Sequence, residues 1–529
     1  MEINAKLFKI AYKKLKSSLY YDKTQTILRD KLVNFESICT NIDRYLEELS
    51  DKFLSEDTRG EMFEKILSSI SFHAFPKKIL PEQSVMIKNY AQKNIGIVDN
   101  QYFIDMDILR EEGLLKKSDY SKLDWGKDRK NVDYETIYEN RFKVLKIAFE
   151  EFKKGDLSEF YDFLQKNERW ISNYALFMSI KNENDGKSWL EWEDGLRKRD
   201  SHSLWEFKSS HEDDVMFWEF VQFKFFEQWN KLKKYANDNG VSIIGDIPIY
   251  VALDSADVWS HPELFQLDEE NLTPLKVSGV PPDAFSENGQ KWGSPVYNWS
   301  RMEEDGFAWW QARMLEHAKL FDVIRLDHFA AIVKYYVVPN KAEDGRSGKW
   351  SRGPGKKLTD AIEKVIGDTH IIVEDIAGKS PIPGVKKLMA RTGWPGIKIL
   401  MFAFGDDTAN EHLPHNYTDC NLVVYAGTHD NETIVGYFRD KTDYELAYLY
   451  EYLNIKYKEE IPDALIRAAY ASIADVAIIQ MQDLMKLGNE ARMNAPSTVG
   501  RNWRWRIGKD TLSEERRAWI RTLATVYRR

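Results

Sequence analysis

The sequence predicts an α/β fold built on buried parallel strands, in a sheet or a barrel. From Val241 onward, apolar runs alternate with helix-sized intervals, which is the rhythm of βα units. Three of those runs end on an acid: Phe321-Asp-Val-Ile-Arg-Leu-Asp327, His370-Ile-Ile-Val-Glu374 and Asn421-Leu-Val-Val-Tyr-Ala-Gly-Thr-His-Asp430. A short continuous apolar run reads as a strand buried on both faces. The C-terminal ends of such strands are where α/β barrels build active sites.

Taken in chain order, residues 1 to about 95 are rich in Lys, Glu and Ser. Helical spacing recurs there at Leu28, Leu32, Val33, Phe35 and Ile38, then at Tyr45, Leu46, Leu49 and Phe53, so the stretch predicts a mostly helical leader. A second helical stretch is expected over about 134–238, with helices at Tyr138–Lys153, Leu157–Lys166 and Met216–Tyr235. Trp170, Tyr174, Phe177, Trp189 and Trp192 fall on or between these helices. Strands are expected at Ile243–Val251, Phe321–Leu326, His370–Glu374, Ile397–Phe404 and Leu422–Ala426, with helices at Trp309–Phe321 and Lys357–Ile366 between them. Residues 279–299 carry turn formers at both ends, and Phe285, Trp292, Tyr297 and Trp299 are interleaved between them. A loop of that length with so many aromatics predicts an ordered lid or substrate wall.

Composition excludes several classes. The 529 residues can form one large core or two to three smaller ones, and 43% hydrophobic with 30% charged content is that of a folded chain. A formal charge of −9 argues against nucleic acid or an anionic membrane surface as the main partner. Two cysteines, Cys39 and Cys420, cannot form a disulfide framework, which fits a reducing cytoplasm. The opening residues show no secretory signal, and no run approaches the ~18 apolar residues of a membrane span. A cytoplasmic protein without a membrane partner is expected. The 17 Trp and 26 Tyr suit core filling, and equally the faces of sugar rings.

The chemistry is carried by the three terminal acids. Arg325 and Asp327 lie two apart on a strand and share a face, so the guanidinium can favour an ionised Asp327. A structural ion pair is the bland alternative. Glu374 is followed by Asp375, and an acid beside an acid in apolar surroundings has a raised pKa, as a general acid needs. Alternatively, Asp375 caps the next loop and Glu374 is incidental. In Gly427-Thr-His-Asp-Asn431, His429 and Asn431 flank Asp430 and can donate to sugar hydroxyls, although a lone His is often structural. The ten His are scattered without a His-x-x-x-His pair, so no metal site is expected. Phosphate-loop, dinucleotide and Gly-x-Ser-x-Gly motifs are missing. Several converging carboxylates without a metal cluster point to glycosyl transfer, which needs no cofactor.

Further motifs occur in order from about Gly96: Gly245-Asp-Ile-Pro-Ile-Tyr-Val251, Asp254-Ser-Ala-Asp-Val-Trp259, Pro262-Glu-Leu-Phe-Gln-Leu-Asp268, Gly279-Val-Pro-Pro-Asp283 and Gly289-Gln-Lys-Trp-Gly293. Arg325-Leu-Asp-His328, Val373-Glu-Asp375, Gly427-Thr-His-Asp-Asn431, Glu490-Ala-Arg-Met-Asn-Ala-Pro496 and Asn502-Trp-Arg-Trp-Arg506 complete the set. Over about 96–529 the chain thus resembles the amylomaltases, the 4-α-glucanotransferases of glycoside hydrolase family 77. The resemblance implies a (β/α)8 TIM-type barrel with inserted helical subdomains and retaining transfer of α-1,4-glucan segments. It implies Asp327 as nucleophile, Glu374 as acid/base and Asp430 as stabiliser of the oxocarbenium-like sugar. Arg325 and His429 support the site, while Gln290, Trp292 and Asn494 line the glucan path. The family's opening segments, which supply its first barrel strands, have no counterpart in residues 1–95. That departure implies barrel strands missing or replaced by a foreign helical leader. An inactive or glucan-binding remnant and an α-glucan hydrolase therefore stand as alternatives, and a nucleic-acid-binding fusion is disfavoured by the leader's balanced charge.

Overall fold

Short apolar runs in the second half of the chain pair side by side in one direction. The computed structural model describes residues 101–529 except 283–285, 377–382, 406, 497, 499–501 and 509–511, so the leader expected over 1–95 lies outside the described residues. The strands are β1 Ile244–Ile247, β2 Lys276–Val280, β3 Gln290–Pro295, β4 Val323–Leu326, β5 Lys334–Pro339, β6 Lys349–Arg352, β7 His370–Val373, β8 Gly396–Ile399, β9 Leu422–Tyr425 and β10 Val476–Ile478. Helices that bear on the site are α1 Tyr134–Phe152, α2 Ser158–Lys166, α3 Glu168–Glu183, α4 Glu212–Asp238, α5 Ala308–Leu320, α6 Lys356–Glu363, α7 Ile434–Arg439 and α8 Met481–Leu484.

β1, β4 and β7 form one parallel triplet, with Asp246, Arg325 and Ile372 in register. β8, β9 and β10 form a second. The Val373 N–H donates to the Pro395 carbonyl at 2.9 Å, so the end of β7 reaches the start of β8. In β7 the consecutive residues Ile371, Ile372 and Val373 are all buried, as expected for a strand covered on both faces, whereas β10 at the end of the second triplet leaves Val476 exposed.

The strands are shorter than the apolar runs suggest. β1 stops at Ile247 because Pro248 has no N–H to continue a ladder, although Ile249 and Val251 stay buried. The run expected as a strand over Ile397–Phe404 divides at Ile399, and Leu400–Phe402 form a 3-10 turn. β10 was not anticipated, its three residues being too short to register as a periodic run. The expected long loop at 279–299 is also corrected. Its second half is β3, which pairs antiparallel with β2 in a four-stranded sheet of order β3-β2-β5-β6. Gly279 permits this closure, since a Cβ there would stand 2.2 Å from the Gln290 carbonyl oxygen.

Helices fill the 134–238 stretch, with bounds set by local chemistry. α1 begins at Tyr134 because the Asp133 carboxylate accepts the Thr136 N–H. α4 opens on Glu212, Asp213 and Asp214, acids that suit the positive end of a helix. These helices do not enclose a core of their own. Their apolar faces share one cluster with β1, β4 and β7, running from Ile104 to Trp394. A second cluster surrounds β8 and β9. The Trp229 indole of α4 donates to the Leu320 carbonyl at 3.0 Å, and its ring meets Phe321 edge-on at 5.7 Å. Much of the aromatic content is therefore core, with Trp189, Trp259 and Trp310 fully buried.

The tightest approach between the strands and their covering layer is at Gly245, where a Cβ would lie 2.1 Å from the Phe321 ring. Gly245→Ala is expected to destabilise the protein by about 1–3 kcal/mol through overpacking. Gly405→Ala, which meets nothing within 4 Å, should leave stability nearly unchanged. Thermal unfolding of the two variants checks this.

Candidate active site

Register decides which side chains meet. Asp246 of β1 and Arg325 of β4 are paired residues, so both project into the same layer. Arg325 is 2% exposed. Its Nη1 lies 2.6 Å from Asp246 Oδ2 and 3.4 Å from Asp327 Oδ1, and its Nη2 lies 2.7 Å from Glu374 Oε2. The last rungs of the ladder fix where the acids emerge. The Asp327 N–H donates to the Ile247 carbonyl, and the Glu374 N–H to the Leu326 carbonyl, each at 2.9 Å. His328 then takes a left-handed conformation, φ +48°, which costs a non-glycine residue about 1 kcal/mol. That turn aims its N–H at Glu374 Oε2, 3.2 Å away.

Glu374 carries the electrostatic consequence. Burial pushes its carboxyl well above the usual range; Arg325 opposes this, while the charge of Asp327, a hydrogen bond with Asp327 and the charge of Asp430 raise it further. Burial and the neighbouring negative charges thus favour the acid form of Glu374 beside Asp327. Burial also disfavours a charged Arg325, but Asp246, Glu374 and Asp327 hold the guanidinium protonated.

One detail expected from the sequence is corrected. Asp375 was expected to raise Glu374, yet it turns away and accepts the Ile397 N–H at 2.9 Å, pinning the start of β8. Arg325 does stand beside Asp327, at 3.4 Å, and makes shorter contacts to Asp246 and Glu374. Asp246 escaped the sequence reading altogether. Its signal was an acid inside the apolar run Ile243-Ile-Gly-Asp-Ile247, where burial demands a cationic partner.

Asp430 sits on a turn closed by Asn431, whose Oδ1 accepts from the Thr428 N–H at 2.7 Å and the Thr428 hydroxyl at 3.0 Å. The Asn431 carbonyl oxygen is thus occupied in closing the turn. Asn494 Nδ2 donates to Asp430 Oδ1 at 2.5 Å, and the Asn494 N–H to the His429 carbonyl at 3.1 Å. His429 is buried, its Nε2 is 3.5 Å from Asp430 Oδ2, and its ring lies against Trp503 at 5.2 Å. Arg492, also unanticipated, donates from Nη2 to the Asp430 carbonyl at 2.9 Å.

From the antiparallel sheet, Trp292 is 39% exposed and meets the His328 ring edge-on at 5.2 Å. Its indole N–H donates to Gln290 Oε1 at 3.0 Å. Asp327, Glu374, Asp430, Arg325, His429 and Asn494 are thus joined by hydrogen bonds or charge, and Trp292 with Gln290 adjoins them through His328. No group of three or more His, Cys, Asp or Glu among the described residues has an arrangement that could hold a metal ion.

Parallel strands ending on three interacting acids define a carboxylate site of the kind that works on glycosidic bonds. The sequence matches the glycoside hydrolase family 77 model, described as 4-alpha-glucanotransferase, over residues 96–511. It is 42% identical over 433 residues to the 4-alpha-glucanotransferase of Clostridium butyricum, covering 81% of this chain and 88% of that one. It is 41% identical over 435 residues to that of Thermus thermophilus, covering 80% and 85%. Among solved structures, the amylomaltase from Streptococcus agalactiae in complex with acarbose superposes with a TM-score of 0.81 at 36% identity, covering 89% of this chain and 94% of that one. The chain belongs to the 4-alpha-glucanotransferases of glycoside hydrolase family 77.

Asp246→Ala removes a partner of the buried guanidinium and is expected to cost about 3–5 kcal/mol. Asp246→Asn, which keeps an acceptor for Arg325, should lose less. Urea unfolding of both variants reads the difference.

Proposed function

We propose that this chain transfers α-1,4-glucan segments to the 4-hydroxyl of an acceptor glucan or glucose by a retaining double displacement. The observation that carries this reading is the Asp327–Glu374 pair at the ends of adjacent strands, both reached by one guanidinium, with Asp430 close enough to influence Glu374. Asp327 is the nucleophile and Glu374 the acid/base. An entering sugar replaces their mutual hydrogen bond and leaves each carboxyl on one side of the scissile bond. Glu374 then protonates the departing 4-oxygen as Asp327 bonds to the anomeric carbon. In the second step Glu374 takes the proton of the acceptor's 4-hydroxyl, whose oxygen displaces Asp327.

Asp430, held by Asn494 and His429, stabilises the positive charge that develops on the sugar ring. Arg325 keeps both catalytic carboxyls oriented. Trp292, its indole N–H held by Gln290, presents an exposed aromatic face on which an acceptor sugar stacks, so that a sugar hydroxyl competes with water. A related amylomaltase has been solved with acarbose, which supports an α-glucan partner.

The same reading places the six parallel strands as an arc of a closed (β/α)8 barrel. It rests on their order, on the Val373–Pro395 contact between the triplets and on likeness to the amylomaltase structure. A cytoplasmic location belongs to the proposal; Cys420 is a free thiol, and no helix among the described residues is long and apolar enough to cross a membrane.

Incubation with maltotriose is the direct test. Glucose together with a ladder of longer maltooligosaccharides is expected, and Asp327→Asn should abolish both. Glucose and maltose alone would make the chain a hydrolase, and no turnover would make it a remnant.

Glu374→Gln should lose transfer from maltooligosaccharides by about 10²–10⁴-fold yet retain reaction with a glucosyl fluoride, whose leaving group needs little protonation. In the unsubstituted protein kcat/KM should hold above the ordinary carboxylate range and fall as pH rises through the elevated Glu374 pKa, because the acid form is the one required. Asp430→Asn removes a charge that raises Glu374, so the fall should move to lower pH in its residual activity. A limb that does not move would separate Asp430 from the acid.

A further inference from the structure

The chain after β10 is laid along the turn that carries Asp430, and it touches that turn at alternate residues. Arg492 Nη2 donates to the Asp430 carbonyl at 2.9 Å. Asn489 Nδ2 donates to Glu432 Oε1 at 2.6 Å. Asp483 Oδ1, on α8, accepts the Ile434 N–H at 2.7 Å. At Gly436 the fit is so close that a Cβ would collide with the Asn489 side chain, 1.9 Å from its Oδ1.

Asp483 is the costly member of this strap. It is 0% exposed, and its Oδ2 has no hydrogen-bond partner among the described residues. A buried carboxyl oxygen without a partner is expensive in any charge state. Burial pushes the group up to about 7, and the Ile434 N–H pulls it back only in part. At the start of α7 the Thr433 hydroxyl accepts the Gly436 N–H at 3.1 Å, and Asp483 takes the Ile434 N–H that Thr433 leaves open. What Asp483 adds is a bond to a different element, made four residues beyond Asp430, where α7 begins.

We propose that Asp483 is a positioning residue for glucan transfer: by holding Ile434, opposite the Arg492 anchor at Asp430, it fixes the turn so that the Asp430 carboxylate faces the sugar in the transition state. The inference rests on the reading of Asp430 as transition-state stabiliser. Its effect falls on kcat, because a displaced Asp430 forfeits stabilisation made in the transition state and leaves ground-state glucan contacts intact.

The test is a cycle of Asp483→Ala, Asp430→Asn and the double variant, with kcat and KM for maltotriose disproportionation and residual rates on a glucosyl fluoride. Asp483→Ala is expected to lower kcat by about 10–100-fold with KM within about twofold, the scale of a misplaced catalytic group. Asp483→Asn retains an acceptor for Ile434 and should recover most of that loss. In the Asp430→Asn background, Asp483→Ala should add less than about twofold, because its route to the reaction is already gone. Equal losses in both backgrounds, a rise in KM that accounts for the change, or no recovery with Asn would overturn the proposal. Should the Ala variant precipitate, Asp483→Ser, polar but too short to reach Ile434, takes its place. An Asp430→Asn variant with full activity would sink the underlying reading instead, and that result is read from the single variant alone.

Discussion

The rest of the site depends on one buried cation. Arg325 lies inside the parallel layer with Asp246 beside it and with Asp327 and Glu374 at the strand ends. A guanidinium without partners there would be prohibitive, and so would three carboxylates without a cation. Together they share a planar network in which every group constrains the others' rotamers. One guanidinium cannot balance three carboxylates. Burial first, and then the charges of Asp327 and Asp430, raise the Glu374 carboxyl against the pull of Arg325. A carboxyl biased toward its acid form thus follows from enclosing it among other carboxylates around one arginine.

Maintaining that network demands a rigid frame, and close backbone approach supplies it. Gly245 lets β1 meet Phe321, and Gly279 lets β3 close on β2. The antiparallel sheet then carries Trp292 to the edge of the acids by way of His328, whose left-handed backbone also aims an N–H at Glu374. Strain at His328 is therefore tied to two features of the site at once.

Much of this was legible along the chain. The three acid-terminated runs were visible as buried strands because their apolar residues are continuous, and the motif order pointed to family 77. Helices of the 134–238 stretch were visible from their spacing, with bounds shifted by caps such as Asp133. β2 and β6 went unseen because Gly, Ser, Lys and Arg dilute their patterns, and pairing across the sheet rather than local propensity makes them strands, whereas β5 carries a legible apolar run at Tyr335-Tyr-Val-Val338.

By itself the sequence determined which residues could do chemistry and roughly where strands begin, since composition and period are local properties. Only the tertiary structure decided the pairings. Register set Asp246 opposite Arg325, turned Asp375 away toward β8, and brought Asn494, Arg492 and Asp483 from a distant segment onto the Asp430 turn. The physical reason is that charge and hydrogen bonding act over a few ångströms, while the partners lie 22 to 79 residues apart in the chain. Distance along a sequence carries no information about that proximity until the strands are laid side by side.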